Sequence, residues 1–158
     1  MKFFTHKLQQ QLQTRIPEDF REAIAKWDAA KLQYEQVLNE VRDSFPRGVR
    51  DFLKVSLHDA VIKSVEELPK TRTITITLFH YPSSRGSYPG TRYFVTFHGT
   101  LIADGLEGLI GETWLYEEMH PSDAAAFEFH VLCEKSEFRI VANDITLTTE
   151  LFWPPDAS

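Results

Sequence analysis

Around Leu57 the spacing of apolar residues in this chain changes, once, from a helical period to an alternation. Upstream, apolar side chains recur at steps of three and four. Downstream they recur at every second residue. The first pattern buries one stripe of a helix, and the second buries one face of a sheet. A chain with a single such switch keeps its helices and its strands in separate parts. Strand-like runs follow one another with no helix between them, which calls for antiparallel pairing. The expected fold is α+β, with N-terminal helices, one of them long, packed on an antiparallel sheet of five or six strands. All 158 residues suit a single domain, with a helical part over 1–55 and a sheet part over 56–152.

In the helical part, Thr5 can cap a short helix over HKLQQQLQ. Pro17 opens the long helix, with Glu18 and Asp19 in its first turn, where the helix dipole favours negative charge. Its stripe runs through Phe20, Ile24, Trp27, Tyr34, Leu38, Val41 and Phe45, with Lys31 in the middle slot, and Pro46 ends it. At ~1.5 Å per residue, about 28 residues span roughly 42 Å. Such a helix crosses a whole sheet face or overhangs it. The stripe is expected to be mostly buried, with Lys31 at its edge. Overhanging turns would pack against another chain, and a homodimer through this helix is one form of that. RGVRDFLK reads as a further turn or two of helix.

The strand-like runs are AVIKSVEEL, TRTITITLFHY, RYFVTFHGTLI, GETWLYEEM, AFEFHVLCEK and EFRIVANDITL. EKSE between the last two is short enough only for a tight hairpin. Two connections stand out: YPSSRGSYPG over 81–90, which carries Arg85 and Tyr88, and the Gly-rich ADGLEGLIG.

Charge and cysteine usage narrow the setting. The net charge is −6, from 17 basic and 23 acidic residues, and the densest basic stretch is PRGVRDFLK. Phosphate-backbone binding needs a basic face, so nucleic acid is not expected as a partner. An acidic surface suits a basic protein partner. The lone Cys133 allows no intramolecular disulfide, in keeping with a reducing compartment. The apolar run near the start is too short for a signal peptide, and no run is long enough for a membrane span. A cytoplasmic protein with no membrane partner is expected.

Several residues could carry chemistry or recognition. The doublet His58-Asp59 can hold metal if a distant carboxylate such as Glu112 converges on it, which would make a hydrolase. The competing reading is a junction, in which Asp59 accepts backbone N–H bonds where helix turns into strand and His58 donates to a neighbouring carbonyl. The six histidines show no HxH or HxxxH pair. Glu117 and Glu118 are adjacent on a strand, point to opposite faces and cannot form a dyad. Glu118 lines up with Trp114 and Tyr116, an aromatic and acidic face suited to a protein partner. Arg85 and Tyr88 could add to it from their loop. No GxSxG or cysteine-nucleophile signature occurs, and no cofactor is implied. The reading that follows is a non-enzymatic interaction module. Beside the metal hydrolase, the other alternative is a small-molecule binder, with its pocket between helix and sheet closed by the 81–90 loop.

MKFFT at the start, LHDAVIKSV after the helices, and the later WLYEEM and EFRIVANDI resemble an uncharacterised bacterial family, one of the domain-of-unknown-function groups. The resemblance spans most of the chain, although YPSSRGSYPG stands outside it. It implies no established activity and carries over no catalytic residue. Similar small, acidic, strand-rich proteins include toxin-neutralising immunity proteins, which implies that an immunity-like role is open to this chain.

Overall fold

The structure, a computed structural model, describes residues 1–81 and 89–153. Three helices come first: α1 (His6–Gln11), α2 (Pro17–Val41) and, after a 3-10 turn at Arg42–Ser44, α3 (Arg47–Phe52). Thr5 caps α1, its Oγ1 accepting the Leu8 N–H at 3.3 Å. Eight strands follow: β1 (Val61–Leu68), β2 (Thr73–His80), β3 (Gly90–His98), β4 (Ile102–Asp104), β5 (Trp114–His120), β6 (Phe127–Cys133), β7 (Glu137–Ala142) and β8 (Asp144–Phe152). They form two four-stranded sheets, ordered β1-β2-β3-β8 and β4-β7-β6-β5, and every pairing is antiparallel. The fold is thus α+β, with its strands shared between two sheets.

The run EFRIVANDITL is where one sheet passes to the other. Phe138, Ile140 and Ala142 are the buried positions of β7, with Val141 beside them, whereas Ile145 and Leu147 point inward from β8. The step from Ala142 to Ile145 is three residues, so the inward phase flips and the chain changes sheets there. Asn143 N–H donates to the His98 carbonyl at 2.9 Å and pins that corner. One hydrophobic cluster fills the space between the sheets. Phe97 of one sheet meets Phe129 of the other with ring centroids 5.3 Å apart, and Phe52 of α3 stands edge-on to Phe129 at 5.4 Å.

The stripe of α2 is buried over only part of its length. Tyr34, Leu38 and, past the helix end, Phe45 are buried, and Trp27 and Val41 are half-buried. Phe20 and Ile24 are 42% and 39% exposed, and Ile16 before them is exposed as well. The expectation of a mostly buried stripe therefore fails at its N-terminal end. The cause is length. A helix of 25 residues extends about 37 Å, while the seven residues of β5 beneath it extend about 23 Å. Lys31 is exposed, as its place at the edge implies. Among the described residues, no helix is long and apolar enough to cross a membrane.

Candidate functional site

A bulge in β5 decides what its side chains do. The register with β6 shifts between Trp114 and Tyr116, and such an extra residue resets the alternation. Trp114 turns inward, with its ring 5.8 Å from Phe129 and 5.6 Å from Phe138. Tyr116, Glu118 and His120 face the other way, toward α2 and the first residues of the chain. The single exposed face expected for Trp114, Tyr116 and Glu118 does not exist, because Trp114 and Glu118 are both 0% exposed.

Glu118 is an anchor. Its Oε1 accepts the N–H groups of Phe3 and Phe4 at 2.8 and 2.7 Å, and its Oε2 accepts the Lys2 N–H at 2.8 Å. The His120 Nε2–H adds a bond to Oε2 at 3.0 Å. A carboxylate has about four lone-pair sites, so this one is saturated. Burial would push the Glu118 carboxyl up, but the His120 ring and the three amides outweigh it and bring the carboxyl down to about 2. Phe4, so tethered, lies 5.2 Å from Trp27, 5.5 Å from Tyr34 and 5.4 Å from Tyr116. The Tyr34 hydroxyl accepts the buried Met119 N–H at 2.8 Å. This aromatic clamp fastens the middle of α2 to β5.

A second polar group crosses the same sheet. Glu118, His130, Arg139 and Asp104 are register partners in turn across β5, β6, β7 and β4. Glu128 takes a hydrogen bond from His130 and an ion pair from Arg139 at 2.9 Å. The Arg139 guanidinium, helped by His130 and opposed by burial, holds Glu128 down to about 2. Both carboxylates are hydrogen-bonded and held well below the usual carboxylate range. Glu117 points to the opposite face and accepts the Trp114 indole N–H at 2.8 Å, while burial pushes its carboxyl up. The two adjacent glutamates are not a pair, as their alternation implied.

The His58-Asp59 doublet is half as expected. The His58 Nδ1 lies 2.5 Å from the Leu115 carbonyl, which can only accept, so Nδ1 carries the proton and ties this turn to β5. Among the described residues, Asp59 holds no backbone amide with its carboxylate. That group is exposed and lies 3.7 Å from His58 Nε2. Its φ of 67° is the reason for the residue, since Asp and Asn tolerate the left-handed region better than other non-glycine residues. Asp59→Asn should therefore leave stability within about 0.5 kcal/mol, whereas the β-branched Asp59→Val should lose on the order of 1–2 kcal/mol. Urea melts of the two variants decide this, and an equal loss in both would contradict it. The third proposed metal ligand, Glu112, instead accepts the Lys135 N–H at 2.9 Å. Among the described residues, no three His, Cys, Asp or Glu side chains gather to hold a metal ion, so the set His58, Asp59 and Glu112 does not assemble.

Arg85 and Tyr88 lie outside the described residues. Three surface cavities, of about 310, 440 and 370 Å³, are lined by α1 with α2, by α3 with its flanks, and by the β1–β2 turn with residues 100–103. None of these three takes walls from both α2 and a sheet, as a binder pocket between helix and sheet would. Sequence reasoning missed the roles of Phe3, Phe4, Tyr34 and His120. The adjacent pair Phe3-Phe4 was the available signal, being two large apolar side chains in a row that are costly to leave in water.

These features define an α+β protein of two stacked antiparallel sheets, whose polar clusters are closed on themselves and whose longest helix overhangs. The chain belongs to the DUF4085 family, proteins of unknown function, whose model matches residues 3–142 and so takes in both sides of the Glu118 anchor. No curated protein and no solved structure matches it.

Proposed function

We propose that this protein is a non-enzymatic interaction module that docks another protein on the overhanging end of α2. The observation that carries this reading is the run Ile16, Phe20, Ile24. These side chains continue the stripe through which Trp27, Tyr34 and Leu38 join the core, yet they are exposed. Burying a large aliphatic or aromatic side chain is worth about 1.5–3 kcal/mol. Phe20 and Ile24 on successive turns of the helix, with Ile16 just before its first turn, suit a groove or a second helix on a partner. The net charge of −6 favours a basic partner. A bacterial cytoplasmic setting and an immunity-like role, in which this protein covers a basic partner's working surface, fit the same mechanism.

The test is site-specific photocrosslinking in the cell of origin. A benzophenone side chain at position 20 should give one discrete adduct. The same probe at Gln36, exposed on the far side of the helix, should give none. The double variant Phe20→Asp, Ile24→Asp should abolish a benzophenone adduct at position 16 and change the melting midpoint little, because neither side chain belongs to the core cluster. The absence of a discrete adduct at position 20, or the same adducts at 20 and 36, would count against this reading.

A further inference from the structure

The two sheets have four edge strands, and three of them are shielded. β1 carries a bulge between Ile62 and Ser64, exposed charges at Lys63, Glu66 and Glu67, and Pro69 just beyond it. β4 is three residues long. β5 is bulged, and its groups are taken: Trp114 exchanges backbone bonds with Asp59 and Ala60, and Tyr34 receives the Met119 N–H. Short length, bulges, charge and cover are the standard protections of an edge against another strand. Among the described residues, β8 past its first two residues is unbulged and exposed over 148–151, with Glu150 its one charge, and Pro154 and Pro155 follow it in the sequence. It is nine residues long and pairs with β3 in unbroken register from Gly90↔Phe152 to His98↔Asp144. α3 packs on its start, where Gly48 sits against the Ile145 carbonyl, and residues 148–151 are exposed. From Thr146 to Phe152 the sole charge is Glu150, which Arg92 of β3 already faces at 3.4 Å. Leu151 is 74% exposed.

We propose that β8 pairs with β8 of a second copy of this chain, antiparallel and about a two-fold axis at Thr149, joining two four-stranded sheets into one of eight strands. The occupant follows from the pattern of the open stretch, TLTTELF. An axis at Thr149 sets Leu147 opposite Leu151 of the second copy, and Leu151 opposite Leu147, both on one face. Thr148 then meets Glu150, so no like charges are opposed, and the pairing ends before Ile145, clear of α3. An axis at Thr148 would bring Leu151 against Ile145, under α3, and so is blocked. The seam exchanges backbone bonds that water now satisfies, and it covers the exposed Leu151. This surface does not involve α2 and does not depend on the reading above.

The experiment is sedimentation of the intact chain over a concentration series from micromolar to submillimolar, joined to cysteine crosslinking. The wild type should move from monomer to dimer, and Leu151→Lys should raise the dissociation constant at least about tenfold by placing a charge in the seam. Opposed residues in an antiparallel pair have Cα atoms about 4.5 or 5.5 Å apart, within the span of a disulfide. Thr149→Cys should therefore oxidise to a covalent dimer, and Thr146→Cys should not. Cys133 is buried and does not compete. The double variant Phe20→Asp, Ile24→Asp should leave the dimer intact. A wild type that stays monomeric throughout, a dimer indifferent to Leu151→Lys, or a dimer dissolved by the α2 variant would each overturn the proposal.

Discussion

Glu118→Ala is expected to cost about 3–5 kcal/mol of folding stability. That is the range for removing one partner of a buried, hydrogen-bonded charge cluster. The substitution strips three main-chain N–H groups and the His120 ring of their common acceptor, and it releases Phe3 and Phe4 from the aromatic clamp. At about 2–4 °C per kcal/mol for a chain of this size, the melting midpoint should fall by roughly 6–20 °C. Glu118→Gln keeps one acceptor oxygen but turns an amide against donors, so its loss should be intermediate. The contact also has a pH signature. Its carboxyl titrates at about 2 when folded, below the ordinary 4.5, so the stabilisation is complete above about pH 5 and is lost as pH falls toward 2. The gap between those two values corresponds to about 3 kcal/mol. Glu128, also held down to about 2, should keep some acid sensitivity in the variant. The informative quantity is thus the difference between wild type and Glu118→Ala, followed by thermal melts from pH 7 down to pH 3. It should shrink with acid, and a constant difference would show that the anchor is not the ionised group described here.

Gly48→Ala should also weaken the fold, by about 3 kcal/mol, although alanine is the better helix former by about 1 kcal/mol. A Cβ at Gly48 would come within 2.1 Å of the Ile145 carbonyl oxygen and 2.4 Å of Asp144 Oδ1. The first is main chain of β8, and the second is held in place by the Ile145 N–H at 2.8 Å. Neither can step aside, so α3 must lift from β8 and disturb the buried Val49 and Phe52. Denaturant unfolding measures the loss. An unchanged or raised midpoint would mean that α3 is not seated on β8.

Much of this architecture could be read from residue spacing. The threonine alternation around Ile74, Ile76 and Leu78 marks β2, and Thr5 and Pro17 mark two helix starts. These signals are local, since each depends on a few neighbouring side chains and one buried face. Two phase changes escaped notice. The bulge after Trp114 and the three-residue step from Ala142 to Ile145 each move side chains to the opposite face, and the second assigns β7 and β8 to different sheets. In the sequence, each is one residue too many or too few within an alternation, a faint mark that a continuous pattern overrides. Glu118 was legible as a carboxylate among aromatics, but its partners are main-chain amides, which every residue carries and which no composition reveals. Asp59 shows the opposite case: the type of residue was informative, yet what it reports is a backbone angle and not a hydrogen bond.

The bonds from Lys2, Phe3 and Phe4 to Glu118 close loops of 116, 115 and 114 residues. A chain made at about 5–20 residues per second needs roughly 6–23 s to add that many. Until the strand bearing Glu118 has emerged, the two phenylalanines near the start have no seat. Residues 2–4 thus leave the ribosome more than a hundred residues ahead of their acceptor, and through that interval the aromatic pair Phe3-Phe4 is open to whatever apolar surface or chaperone it meets.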